Sequence, residues 1–502
     1  MTTRVAVPQG VGKARLAVAA GVLAAPTVLA FFSGGYFGVI HGQVGLIAAV
    51  LAWVAVAAVV LLDHRPLPAS TTAQVALAGL TLLVAWSALS LLWAPLLDPG
   101  LADVERASLY LAIFILGCWA FRGADVSRAV EPSLLGGIAI VCAYALATRL
   151  LPGIVDAEQG IRAGSRLDQP LTYWNAMGAL AAMGLMLAIH TASDARRAQR
   201  LRIAAMALVP ALGLTLFLTV SRGAHLAAIA GAAVIVLAAR NRRALDSTIL
   251  GVALVTVTAG LGSLFSGVVE LAGSMASRER QGLAVLAILL AACAVAALGQ
   301  MALVRLEARG LTWTDELRRR RLLAALAAAA ALAVVVLGVA AFAGGDVKPA
   351  PRDALAQGPE RFRTLETNRW RYWRVALDTF AEQPLTGSGI HGFAADWLER
   401  RDIDEGVQDA HSLYVETLTE LGLPGFLFLA LFLGAVAVAM WRVGEPGWAA
   451  ASAVWAIHAG VDWDWEMPAL TLVFIALAAA ATATAASTQS AGSAANRNRV
   501  TP

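Results

Sequence analysis

The chain has 502 residues, 59% of them hydrophobic and only 14% charged, with a mean hydropathy of +0.70. A soluble domain carries about 25% charged residues, so a soluble globular protein is excluded and an integral membrane protein with many spans is implied. The formal net charge of +4 is too small to signal nucleic-acid binding, and no nucleic-acid partner is expected.

In chain order, the apolar run that starts at Ala14 is long enough to span a bilayer. Many further spans follow it, so it reads as the first helix and not as a cleaved signal. Spans are predicted over 14–32, 42–62, 71–93, 105–121, 130–150, 171–191, 203–220, 223–239, 247–269, 281–303, 322–343, 413–441, 446–460 and 467–486. The fold class is therefore an all-α polytopic membrane bundle of about 14 helices, with 12 to 14 as the range. Residues 1–343 form the N-terminal bundle, 344–412 a large extracytoplasmic loop, 413–486 the last spans, and 487–502 a disordered cytoplasmic tail. Cys118, Cys142 and Cys293 each sit in an apolar stretch, where they read as small core residues and neither a disulfide framework nor a zinc site.

With the N-terminus inside, short cytoplasmic loops hold Arg196, Arg197, Arg200 and Arg202, then Arg240, Arg242 and Arg243, then the run Arg318–Arg321. The short outer loops near 33–41, 94–104 and 461–466 carry no Lys or Arg, whereas Arg162, Arg166, Arg278 and Arg280 fall outside. The bias is clear without being perfect, and it puts both termini in the cytoplasm. No phosphate-cradling loop is present: Gly10-Val11-Gly12-Lys13-Ala14 lacks the spacing and the Ser/Thr.

Few polar residues stand where chemistry needs them. Ser221-Arg222-Gly223 lies at an outer hairpin between two spans, where Arg222 either binds an anionic ligand or snorkels to headgroups. Arg166 and Asn175 border the sixth span; flanking the membrane and bonding across helices are the leading readings. Within the long loop, residues 369–381 read as an amphipathic helix. Arg369, Trp373, Ala376, Leu377 and Phe380 share one face, and Arg371, Arg374, Asp378 and Glu382 the other. A guanidinium on the inner face requires a carboxylate or a ligand phosphate. Gly387 and Gly389 in the turn after it either admit a ligand closely or supply positive φ. His411 opens the next span near Asp409, where it is a candidate proton acceptor or a helix-start group. Glu416 and Glu420 follow one helical turn apart and either pair with arginines or line a polar cavity. Asp462 and Asp464 have spacing that suits a divalent metal only weakly, and Trp463 and Trp465 suit the membrane interface.

Three stretches together resemble the O-antigen ligase and O-antigen polymerase family of bacterial membrane glycosyltransferases. They are Ser221-Arg222-Gly223; Arg369-x-x-x-Trp373-x-x-Ala376 followed by Pro384-Leu385-Thr386-Gly387-x-Gly389-x-x-Gly392-Phe393; and His411-Ser412-Leu413-Tyr414 through Glu420-x-Gly422-x-x-Gly425. His411-Ser412 stands where family members often have His-Asn. The resemblance implies transfer of a glycan from a polyprenyl (undecaprenyl) pyrophosphate donor to a glycan, lipid or protein acceptor at the outer face of the bacterial cytoplasmic membrane. It implies neither cofactor nor metal, and it carries Arg222 and Arg369 as pyrophosphate holders and His411 as the base. Arg166, Asn175, Gly387, Gly389, Tyr414 and Glu416 are the expected substrate-binding set. A polymerase of lipid-linked repeat units is the alternative within the family. From another class, a secondary transporter would place its polar residues and broken helices near midspan.

Overall fold

The computed structural model describes residues 9–36, 39–63, 70–157, 163–310 and 368–500. The expected span at 322–343 and the start of the long loop lie outside them. The described chain is helical throughout: α1 (Gln9–Ala30), a 3-10 turn (Ser33–Gly35), α2 (Val39–Leu62), α3 (Thr71–Ser90), α4 (Leu97–Ala120), α5 (Ala124–Leu150), α6 (Trp174–Ser193), α7 (Gln199–Leu218), α8 (Arg222–Ala239), α9 (Arg242–Gly262), α10 (Ser266–Val269), α11 (Met275–Ala308), α12 (Arg369–Glu382), α13 (Phe393–Arg400), α14 (Leu413–Val443), α15 (Pro446–Ala459) and α16 (Pro468–Val500). Every expected span that falls in the described residues coincides with one of these helices. Eleven of them are long and apolar enough to cross a membrane. Outside that set are α4, whose first half carries Asp98, Asp103, Glu105 and Arg106, and α15, which has 14 residues. The last helix continues to Val500, past 487 where the sequence predicts a disordered tail.

Two helices form the centre. In α6 every residue from Ala176 to Ser193 is buried, and the span of α16 up to Ala485 is almost as enclosed. Both are rich in small residues, which lets neighbours approach: a β-carbon at Gly178 would stand 2.8 Å from Thr219 Oγ1, and one at Gly117 only 2.6 Å from Ala479 Cβ. The outer helices turn large side chains outward instead, among them Leu51, Leu61, Leu290 and Leu298, as lipid contact demands. One end of the bundle gathers Arg196, Arg197 and Arg202 with Asp194, Glu131, Glu307 and Glu445. The other end holds the loop helices α12 and α13, which share a small core of Tyr372, Ala376, Phe393, Trp397 and Ala410.

The loop helices are locked to the bundle through a break in α14. Gly422 has φ 61° and ψ −166°, and Pro424 has no N–H to give, so the helical ladder fails there. The carbonyls left open are filled from elsewhere. Ser388 N–H donates to Thr419 O and Gly389 N–H to Glu420 O, both at 2.9 Å, while Trp86 Nε1 donates to Leu421 O at 2.8 Å. In return Leu423 N–H donates to Pro384 O at 2.8 Å. The turn after α12 thus acts as a backbone plug.

This junction tolerates no side chain at its tightest point. A β-carbon at Gly387, whose φ is +66°, would lie 2.4 Å from the Glu420 carbonyl. Gly387→Ala is expected to lower the Tm of the detergent-purified protein by several degrees, through strain of about 2 kcal/mol or more. Gly434→Ala, in open space on α14, should leave Tm level or slightly raised. Equal Tm values for the two variants would contradict the plug.

Candidate functional site

At the loop end, residues far apart in sequence form one hydrogen-bonded chain. Asn175 Nδ2, in the first turn of α6, donates to Tyr173 Oη at 2.8 Å. Tyr173 Oη donates to Asp462 Oδ1 at 2.6 Å, and Arg369 Nη2 donates to Asp462 Oδ2 at 2.6 Å. Asp462 lies in the turn between α15 and α16 with its side chain 1% exposed, whereas the Arg369 side chain is 24% exposed. The pair therefore buries its anion more deeply than the arginine side chain. Against the penalty of burial, Arg369 and then His411 and His458 hold Asp462 below the usual carboxylate range, so it is ionised near neutral pH.

His411 stands at this cluster in a left-handed backbone conformation, φ 56°. Its turn is pinned on both sides of Ala410: Trp373 Nε1 donates to Ala410 O at 3.0 Å, and Ala410 N–H donates to Glu416 Oε2 at 2.6 Å. The His411 ring lies 5.3 Å from that of Tyr372 and 6.4 Å from that of Trp463. Its Nδ1 is 2.9 Å from Asp409 O. A carbonyl only accepts, so Nδ1 carries the proton and Nε2 keeps the lone pair in the neutral ring. Burial depresses the His411 pKa, with Asp462 opposing, which favours that neutral form. The carboxylate of Asp409 does not orient the imidazole; it faces Tyr36 Oη, which donates to it at 3.3 Å.

The other expected residues divide. Arg222 is the first residue of α8, and the start of that helix abuts the same turn: a β-carbon at Gly223 would lie 3.2 Å from His458 Cδ2 and 3.4 Å from Val461 Cγ2. Arg166 is buried, with its guanidinium 3.5 Å over the Trp174 ring and Nε donating to Ala163 O at 2.9 Å. Tyr414 Oη donates to Ala456 O at 2.7 Å and so joins α14 to α15. Gly387 and Gly389 press on the backbone of Glu420 and Ala94, where their positive φ and missing β-carbons serve packing. Glu416 caps the His411 turn and, with Glu420, lines a cavity of about 40 Å³.

Helical geometry ranks the arginines of α12. Arg369 points to Asp462, while Arg371 pairs with Asp402 on the loop side. The buried face runs through Tyr372, Ala376 and Thr379, so Leu377, expected inside, is 39% exposed. Trp463 and Trp465, which the sequence suits to the membrane interface, turn inward and not toward lipid. Both are buried: Trp463 stacks on Tyr173 at 4.2 Å, and Trp465 packs edge-on against Tyr110 at 4.9 Å. Asp464 pairs with His458 Nδ1 at 2.6 Å.

Removing one partner of the Arg369–Asp462 pair strands the other, at a cost on the order of 3 kcal/mol. Asp462→Ala and Arg369→Ala should each lower Tm, and the double variant should lose clearly less than the sum. Additive losses in thermal unfolding would show that the two side chains do not depend on each other.

Residues 271–430 match the family model described as O-antigen ligase. The match runs from just before α11 to just past the middle of α14, so it includes Arg369, the glycine turn and His411, while Arg222, Asn175 and Asp462 lie outside it. No curated protein matches the chain.

Proposed function

We propose that this chain, whose residues 271–430 match the O-antigen ligase family model, transfers a glycan from a polyprenyl pyrophosphate donor to an acceptor hydroxyl at the outer face of the bacterial cytoplasmic membrane. The reading is carried by one observation: an arginine with a partly exposed side chain, fixed by a buried carboxylate, stands in the same cluster as a histidine whose lone pair is on Nε2. Its orientation rests on the arginine bias of the short loops.

In this reading the pyrophosphate lies against Arg369 and Arg222. The acceptor oxygen attacks the anomeric carbon as the bond to the pyrophosphate oxygen breaks. The acceptor proton passes to His411 Nε2, and the polyprenyl pyrophosphate leaves with its negative charge facing the guanidinium groups. Charge that develops on the leaving group needs fixed cations, and a weakly acidic hydroxyl needs a base. Asp462, Tyr173 and Asn175 act through Arg369 as positioning residues. The reaction as written uses no nucleotide and no metal at the reacting atoms.

The test is transfer from purified lipid-linked donor at matched protein levels. His411→Ala should lose about 100-fold or more in rate. Arg369→Ala and Arg369→Lys should both lose one to two decades, since lysine lacks the planar fork. Arg371→Ala, which breaks the contact with Asp402, should keep most activity. Wild-type rates in His411→Ala, or the reverse ranking of the two arginines, would overturn the assignment.

A further inference from the structure

On either side of Asp462 in the chain stand an imidazole and a carboxylate that the transfer step does not use. His458 is the last residue but one of α15, and Asp464 lies in the turn before α16. His458 Nδ1 donates to Asp464 Oδ2 at 2.6 Å, with the two side chains 1% and 0% exposed. Asp464 Oδ1 is buried and receives no hydrogen bond. A polar pair with one oxygen left unsatisfied is costly to bury, and apolar side chains of similar volume would pack without that cost. Packing alone therefore does not account for it.

The pair touches two parts of the donor site. The first is the turn of Asp462. Val461 N–H donates to His458 O at 2.9 Å, and Thr471 Oγ1 donates to Asp464 O at 2.6 Å. Trp455 Nε1 donates to the same Thr471 hydroxyl at 3.1 Å. Asp462 is thus held between two anchored residues.

The second is the start of α8. Fixed at Nδ1, the ring turns its Cδ2–Nε2 edge to Gly223, where a β-carbon would lie 3.2 Å from Cδ2 and 3.3 Å from Nε2. Gly223 follows Arg222, the first residue of α8. Further along, α8 meets α15 through Gly231, where a β-carbon would come within 2.7 Å of Val454 Cγ2. There an apolar side chain suffices. At the end that carries Arg222 the contact is made instead by a polar ring held in one orientation.

We infer that His458, oriented by Asp464, is a positioning residue that sets Arg222 at its working distance from the Arg369–Asp462 pair. The inference rests on the reading that both arginines receive the pyrophosphate. Two guanidinium groups on different helices can share one pyrophosphate only if their spacing is held. His458 touches the helix of Arg222 and brackets the aspartate that aims Arg369. It acts through these neighbours and touches no reacting atom.

The experiment is equilibrium binding of polyprenyl pyrophosphate to the purified full-length protein, in a double-variant cycle. His458→Ala should raise Kd about tenfold, and by less than about twofold in the Arg222→Ala background, as coupling through a shared neighbour requires. Gly223→Ala presses on the ring from the other side; it should raise Kd several-fold and lose that effect in the same background. Being the milder change, it carries the same test if His458→Ala does not fold. Asp464→Asn still offers an oxygen to Nδ1–H and should keep Kd within about threefold of wild type, whereas Asp464→Ala should behave as His458→Ala. A role in stability alone would leave the Kd of the folded variants unchanged, or raise it by the same factor with and without Arg222, and either result would overturn the inference. Wild-type binding by Arg222→Ala would overturn the underlying reading that Arg222 holds the pyrophosphate, and the inference with it.

Discussion

The Arg369–Asp462 ion pair is the contact on which the loop end depends. It joins the first residue of α12 to the turn that connects the last two helices. A buried pair of this kind contributes little net stability, because desolvation offsets most of the attraction. Its effect is geometric. Asp462 is held from two sides, by Tyr173 and by Arg369, so the guanidinium is aimed before any ligand arrives. Such preorganisation matters most for a group that must meet developing charge.

The broken helix α14 serves the same end. A continuous helix at Gly422 would have no open carbonyls, and the turn after α12 would have nothing to grip. Because the ladder fails, the amides of Ser388 and Gly389 and the indole of Trp86 find acceptors on α14. Thr419 Oγ1 adds a bond to Ala376 O at 2.9 Å, so α12 is fastened along its length. His411, at the head of α14, and Arg369, at the head of α12, are therefore referred to one rigid frame. Gly387 and Gly389, which the sequence leaves open between ligand approach and positive φ, have positive φ and let two backbones come within hydrogen-bond distance.

Hydropathy alone locates the spans, since a bilayer admits few alternatives to long apolar helices. Periodicity ranks Arg369 above Arg371 as the inward arginine, although the face is rotated enough to expose Leu377. The partners of Arg369 are beyond such reasoning. Asp462 is 93 residues from it and Tyr173 is 289 residues from Asp462, so no local pattern links them. Asp462 and Asp464 read together as a weak metal motif, yet the fold sends one to Arg369 and the other to His458. The carboxylates that do converge, Asp409, Glu416 and Glu466, come from both sides of α14's start and from the final turn, and only the packing of α4, α14 and α16 brings them together.

The central claim is that Arg369, aimed by Asp462, receives the pyrophosphate of a lipid-linked donor. Equilibrium binding of polyprenyl pyrophosphate to the purified protein tests it most directly, because it removes the acceptor and the proton transfer from the measurement. The account predicts that Arg369→Ala raises Kd by one to two decades, as loss of a charge-assisted contact requires, while His411→Ala leaves Kd within a few-fold of wild type. An unchanged Kd in Arg369→Ala would contradict it.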